Sequence, residues 1–232
     1  MSKILVLGDG LLGSEIIKQT GWDCISRKKD GFDIQAIETS YHSFGLNNYN
    51  VIINCIAFTD TYSTNKKLHW DINYKSVVFL TDYCEQHNIK LVHISTDYIY
   101  ANSKTCASET DVPVHLNTWY GYTKLLGDAY VQLNDRNLII RTSHKPYPFP
   151  YKEAWDDQVT NGDYVNIISS LIIKLVNIDA SGVYNVGTEE KTWYTLTEEE
   201  FNTKPINKPK LAPEDITMNI NKLTNAIKNI NK

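Results

Sequence analysis

No CxxC pair occurs in this sequence: its cysteines, Cys24, Cys55, Cys84 and Cys106, are scattered. That spacing reads as reduced thiols, not as a disulfide frame or a zinc ribbon. The six histidines show no HxxxH or HExxH pairing, so no metal site is expected. No run of about 18 apolar residues is present, and no membrane span is expected. The N-terminus, MSKILVLGDG, lacks the cleavage region of a signal peptide, and its short apolar run leads into a glycine turn. A cytoplasmic location is the expectation. A net charge of −4 over 232 residues gives no reason to expect a nucleic-acid partner. Internal repeats are absent as well.

What is present is ordinary globular composition, 42% hydrophobic and 22% charged, enough for one substantial core. Strand-like apolar runs alternate with helical patterns. KILVL (3–7), WDCIS (22–26), VIINCIA (51–57), KLVHIS (90–95), NLIIRTS (137–143) and GVYNV (182–186) read as strands. Helical spacing covers 11–20, about 65–87, 119–133 and about 164–177. This alternation predicts an α/β fold, a doubly wound parallel sheet of Rossmann-like type. The expected division is a core over 1–143 and a small C-terminal lobe over 144–232, interleaved with the last strand and helices of the core. Residues 144–163 carry Pro146, Pro148 and Pro150 and are expected to form an ordered aromatic loop. Two short helices are expected after the GVYNV strand, and a terminal helix from Pro213.

Gly8, Gly10 and Gly13 form GxGxxG between the first strand and the first helix. There the glycines permit a tight turn, a close backbone approach to a pyrophosphate and helix–sheet contact, and the helix N-terminus faces the phosphates. Gly8, Gly10, Leu11, Leu12 and Gly13 are therefore candidate cofactor residues. The second strand ends in Ser26, Arg27, Lys28 and Lys29. Basic groups at that position attract a 2′-phosphate, which favours NADP(H). Asp30 and Asp33 lie nearby and keep NAD(H) as the alternative.

YxxxK occurs at Tyr62/Lys66, Tyr100/Lys104 and Tyr120/Lys124. Only Tyr120/Lys124 lies in a sustained helical pattern, where i and i+4 share a face. A phenol beside an ammonium is expected to have a lowered pKa and to suit proton transfer to a substrate oxygen. Gly121 and Gly127, poor helix formers, are expected to mark a close approach of cofactor or strand.

The segments LGDGLLGSEI, VIINCIAFTD, HWDIN, HISTDYIY, YGYTKLLGD, LIIRTS, DQVTNGDYV and GVYNVG, in that order, resemble the extended short-chain dehydrogenases/reductases, and within them the dTDP-4-dehydrorhamnose reductase family. The resemblance implies a catalytic triad of Thr96, Tyr120 and Lys124, with Thr96, Tyr98 and Tyr120 facing the substrate. It implies cofactor contacts from Cys55, Ile56, Ala57, Asn73, Asp33 and Ile34, with a backbone cap as the alternative role of Asn73 and a turn role for Asp33. The implied activity is NADPH-dependent reduction of a nucleotide-linked 4-keto-6-deoxy sugar in deoxysugar synthesis. Alternatives are a non-catalytic NADP(H)-binding regulatory subunit or a sugar-nucleotide epimerase. A homodimer or a partner enzyme of the same pathway fits this implication. The chain departs from the family between LIIRTS and DQVTNGD, where only the 13 residues His144 to Asp156 replace a longer substrate segment. Tyr147, Phe149, Tyr151 and Trp155 there would either stack on a nucleotide or pack the shortened lobe.

Overall fold

The computed structural model describes residues 2–101, 103, 105–111 and 118–229. A six-stranded parallel sheet forms its centre. The strands are β1 (Ile4–Leu7), β2 (Asp23–Ile25), β3 (Val51–Asn54), β4 (Lys90–Ile94), β5 (Leu138–Arg141) and a sixth, Gly182–Asn185. From one edge the order runs sixth strand, β5, β4, β3, β1, β2. The chain moves outward from β1 to β2, then returns to β3 on the other side of β1. The switch point thus lies between β1 and β3, where Leu7 pairs with Asn54. In an open α/β sheet, ligands bind at that point beyond the carboxyl ends of the strands.

Strands β3 and β5 are buried throughout, and β1 and β4 at all but one residue each, because helices cover both faces, which is why they read as unbroken apolar runs. Alternate residues feed two cores. Leu5, Leu7, Ile52, Leu91 and Ile139 pack on one face with Phe32, Val77 and Leu80. Val6, Ile53, Val92 and Ile140 pack on the other with Ile16, Ile168, Ile172 and Leu175. The helix α1 (Leu11–Thr20) and the helix Val165–Asn177 belong to the second face.

The structure corrects several expectations. Arg27–Asp30 is a single helical turn, capped by Ser26 accepting from Lys29 N–H, which no periodicity in the sequence indicated. Residues 66–86 are helical throughout but contain a π turn at Asp71–Lys75, a local widening frequent at functional sites. After the sixth strand comes one helix, Trp193–Phe201, then a short strand Lys204–Ile206 paired with Glu153–Trp155. The terminal helix spans only Asn221–Lys228. The stretch before it is extended because backbone and side chains of other segments bond it: Val159 N–H donates to Glu214 O and Ile216 N–H to Val159 O, Asn219 N–H donates to Ala107 O, and Met218 N–H donates to Asn161 Oδ1.

Candidate active site

The glycine turn follows β1 directly. Gly8 has φ +95°, a conformation that side chains resist. A Cβ on Gly13 would stand 2.0 Å from the carbonyl oxygen of Gly8, so only glycine lets α1 close on the turn. Gly10 differs: no protein atom lies within 4 Å of where its Cβ would be. The N-terminus of α1 has no side-chain cap and no acidic residue in its first turn. Its free N–H groups and positive dipole end therefore suit an anion.

Two cavities meet at this turn. One, of about 280 Å³, is lined by Gly8, Gly10, Arg27, Asp33, Ile34, Cys55, Ile56 and Ala57, among others. The second, of about 420 Å³, is lined by Gly10, Leu11, Leu12, Cys55, Ala57, Thr96, Tyr98, Tyr120 and Lys124, together with Ser143 and His144. A larger cavity of about 780 Å³ lies at the opposite ends of the strands, near Ile4, Val51 and Lys90. It holds none of the candidate residues, and we place the site at the two smaller ones on chemical grounds.

Three elements bring the catalytic candidates together. Thr96 follows β4 and caps the turn Asp97–Tyr100 by accepting from Tyr98 N–H at 3.2 Å. Tyr120 and Lys124 lie one turn apart on the helix Trp119–Val131, whose N-terminus Thr118 caps through Gly121 N–H. Tyr120 and the Thr96 hydroxyl face the same cavity, and Thr96 acts on the phenol there. Lys124, 1% exposed, donates to Ile94 O at 2.6 Å and lies 3.3 Å from His93 Nε2.

The electrostatics reverse one expectation. The Tyr120 phenol is not lowered: burial pushes it up to about 12, and Thr96 only partly opposes this. The same burial brings Lys124 down to about 8, against the pull of Asp128. Desolvation disfavours both charged forms and outweighs the pairing that the i, i+4 spacing suggested. A tyrosine that keeps its proton at neutral pH suits a proton donor. Asp97, buried and pushed up to about 6 by desolvation, accepts from Ser143 Oγ at 2.5 Å and Thr96 Oγ1 at 3.3 Å. His93 lies well below the usual imidazole value through burial and through Lys124, so its ring is neutral.

Other candidates stand behind the cavity walls. Asn73, in the π turn, accepts from Phe58 N–H at 2.8 Å and donates to Phe58 O at 3.0 Å, which fixes the loop after β3. A Cβ on Gly127 would meet Asn73 O at 2.8 Å. The tightest approach at Gly127 is therefore to the π turn, with the His93 side chain of β4 at 3.7 Å. Gly13, Ser26, Lys28 and Asn73 line neither cavity. Tyr100 is buried, donating to Asn185 Oδ1 and accepting from Arg141, and Lys104 lies outside the described residues. Phe149 packs with Tyr164 and Trp193, and Trp155 packs against that cluster; Tyr147 and Tyr151 remain exposed.

Sequence reasoning missed Asp97, Thr142, Ser143 and His144 as lining residues. Each lies within three residues of the end of β4 or β5, so position at a strand's carboxyl end was the available signal.

The family model described as the RmlD substrate binding domain matches residues 2–144, more than half of the chain. The chain belongs to this family. It is 29% identical over 217 residues to the spore coat polysaccharide biosynthesis protein SpsK of Bacillus subtilis, covering 84% of this chain and 76% of that one. It is 30% identical over 139 residues to a dTDP-4-dehydrorhamnose reductase of Aggregatibacter actinomycetemcomitans, covering 58% of this chain and 42% of that one. The chain thus spans less than half of the latter's length. The fold is similar to a dTDP-4-dehydrorhamnose reductase of Bacillus anthracis solved in complex with NADP, with TM-score 0.80 at 22% identity over 97% of this chain and 91% of that one.

Proposed function

We propose that this protein is an NADPH-dependent reductase of a nucleotide-linked 4-keto-6-deoxy sugar. One observation carries the reading: Thr96, Tyr120 and Lys124 line the same 420 Å³ cavity as Gly10, Leu11 and Leu12 of the glycine turn. The open space at Gly10 and the uncapped start of α1 fit the pyrophosphate of a dinucleotide. Bound there, the cofactor supplies a hydride to the carbonyl carbon. Tyr120 donates a proton to the carbonyl oxygen, Thr96 orients that oxygen, and Lys124 binds the ribose beside the nicotinamide. Arg27, at the 280 Å³ cavity, favours a 2′-phosphate and hence NADP(H), while Asp33 leaves NAD(H) accessible.

The 13-residue segment His144 to Asp156 favours a second reading, an NADP(H)-binding protein without turnover. One assay separates the two. Purified protein is mixed with NADPH and a panel of nucleotide 4-keto-6-deoxy sugars, and cofactor oxidation is followed. Oxidation that depends on one of the sugars is expected. Tight NADPH binding with no oxidation across the panel would replace the first reading with the second.

A further inference from the structure

His144 and Lys145 form a two-residue strand, and successive strand residues point to opposite sides. His144 lines the catalytic cavity. Lys145 lines a separate cavity of about 580 Å³, whose other walls include Phe149, Tyr151, Trp155 and Trp193. None of Thr96, Tyr120 and Lys124 reaches it.

The Lys145 ammonium lies 4.4 Å from the centre of the Trp193 ring and 5.4 Å from that of Trp155. Both rings attract the charge, but they offer its three N–H donors no oxygen. Among the described residues the ammonium makes no hydrogen bond and no ion pair. Burial holds it below the usual lysine range, against the pull of Asp97, so an anion brought beside it would relieve that cost. Lys152 and Glu153 also line the cavity and cancel in charge, which leaves Lys145 as the excess positive charge of its walls. The cavity also offers an aromatic surface. Tyr151 is 60% exposed and meets Phe149 edge-on, with centroids 5.3 Å apart, so most of its ring is open to a ligand. A ligand that uses both features carries an anionic group for Lys145 and a flat ring for Tyr151. Phosphate oxygens meet the first demand and a nucleobase the second. Phosphate alone would leave Tyr151 unused, and a base alone would leave Lys145 unpaired.

We propose that this cavity binds a nucleoside diphosphate group, with Lys145 on the phosphates and the base against Tyr151. Two sources offer that group: the nucleotide end of a sugar substrate held in the catalytic cavity, or a free nucleotide acting as an effector. The cavity's own walls carry the proposal, which does not rest on the reductase reading.

Calorimetric titration of the full chain with UDP and with dTDP tests it, with NADPH saturating so that the glycine turn is already filled. At least one of the two is expected to bind, and the matching nucleoside, which lacks the phosphates, at least about tenfold more weakly. Lys145→Met is expected to weaken the diphosphate at least about tenfold, and Lys145→Arg, which keeps the charge, by less than about threefold. Tyr151→Ala is expected to weaken it about 3- to 10-fold. NADPH affinity should stay unchanged in all three variants. Tyr151 is exposed, so Tyr151→Ala carries the test even where Lys145→Met fails to fold. Steady-state kinetics then separate the two sources. Competition between the diphosphate and the sugar nucleotide, with KM raised and kcat kept in Lys145→Met, assigns the site to the substrate. Binding without competition assigns it to an effector. No binding of either diphosphate, or binding as tight in Lys145→Met or in Tyr151→Ala as in the wild type, would overturn the proposal and leave the reductase reading intact. A protein that binds UDP or dTDP through Lys145 and reduces no nucleotide sugar would remove the reductase reading and keep this site.

Discussion

The ammonium of Lys124 donates to the backbone carbonyl of Ile94 at 2.6 Å, which ties the catalytic helix to the strand that ends just before Thr96. Among the described residues no hydrogen bond joins Lys124 to Tyr120. The pair acts as two separately placed groups on one helix face. Its chemistry is governed by burial more than by mutual attraction.

Burial of Lys124 has a measurable consequence for stability. Its pKa is lowered to about 8 by desolvation, against about 10.4 for an unfolded lysine. Below about pH 8 both states hold the proton, and the folded state bears the full desolvation cost. Between about pH 8 and 10.4 the unfolded chain alone keeps it, so stability rises with pH across that window. Lys124→Met is expected to lack this rise. Urea unfolding of both proteins at pH 7.5 and pH 10 should show the wild type gaining on the order of 2 kcal/mol relative to the variant. Parallel pH dependences would contradict the buried ammonium.

Gly10 and Gly13 should fail in different ways. Gly13→Ala places a methyl against the Gly8 carbonyl and is expected to cost about 1–3 kcal/mol of stability. Gly10→Ala meets no protein atom and its φ of −67° suits alanine, so stability should change by less than about 0.5 kcal/mol. NADPH affinity should nevertheless fall at least tenfold, since the methyl takes the room a pyrophosphate needs. Thermal melts with and without NADPH separate these effects.

Arg27 and Asp33 stand 3.3 Å apart at the mouth of the smaller cavity. Arg27→Gln is expected to raise the NADPH dissociation constant about tenfold and to leave NADH nearly unchanged. Equal shifts for the two cofactors, measured by fluorescence titration, would show that Arg27 does not contact a 2′-phosphate.

The sheet was legible because its strands are buried on both faces and so appear as unbroken apolar runs between helical periods. That Gly8, Gly10, Leu11 and Leu12 line the two cavities was legible from the glycine triplet between strand and helix. The tail before Asn221 was not, because backbone bonds to Val159 and Ala107, distant in sequence, hold it extended. Nor was the direction of the Tyr120 shift. Spacing reports that Tyr120 and Lys124 share a face, but not how completely strand β4 and the flanking helices remove them from water. His93, 3.3 Å from the Lys124 ammonium, carries no spacing signal, whereas Asp128 stands at i+4 from Lys124 on the same helix and could have been read from the sequence.

Single-turnover reduction by the Tyr120→Phe variant tests the central claim most directly. NADPH fluorescence should show cofactor bound as in the wild type. Hydride transfer to the accepted nucleotide sugar should then slow by at least about 100-fold. A variant that binds NADPH and transfers hydride at the wild-type rate would contradict the assignment of Tyr120 as the proton donor.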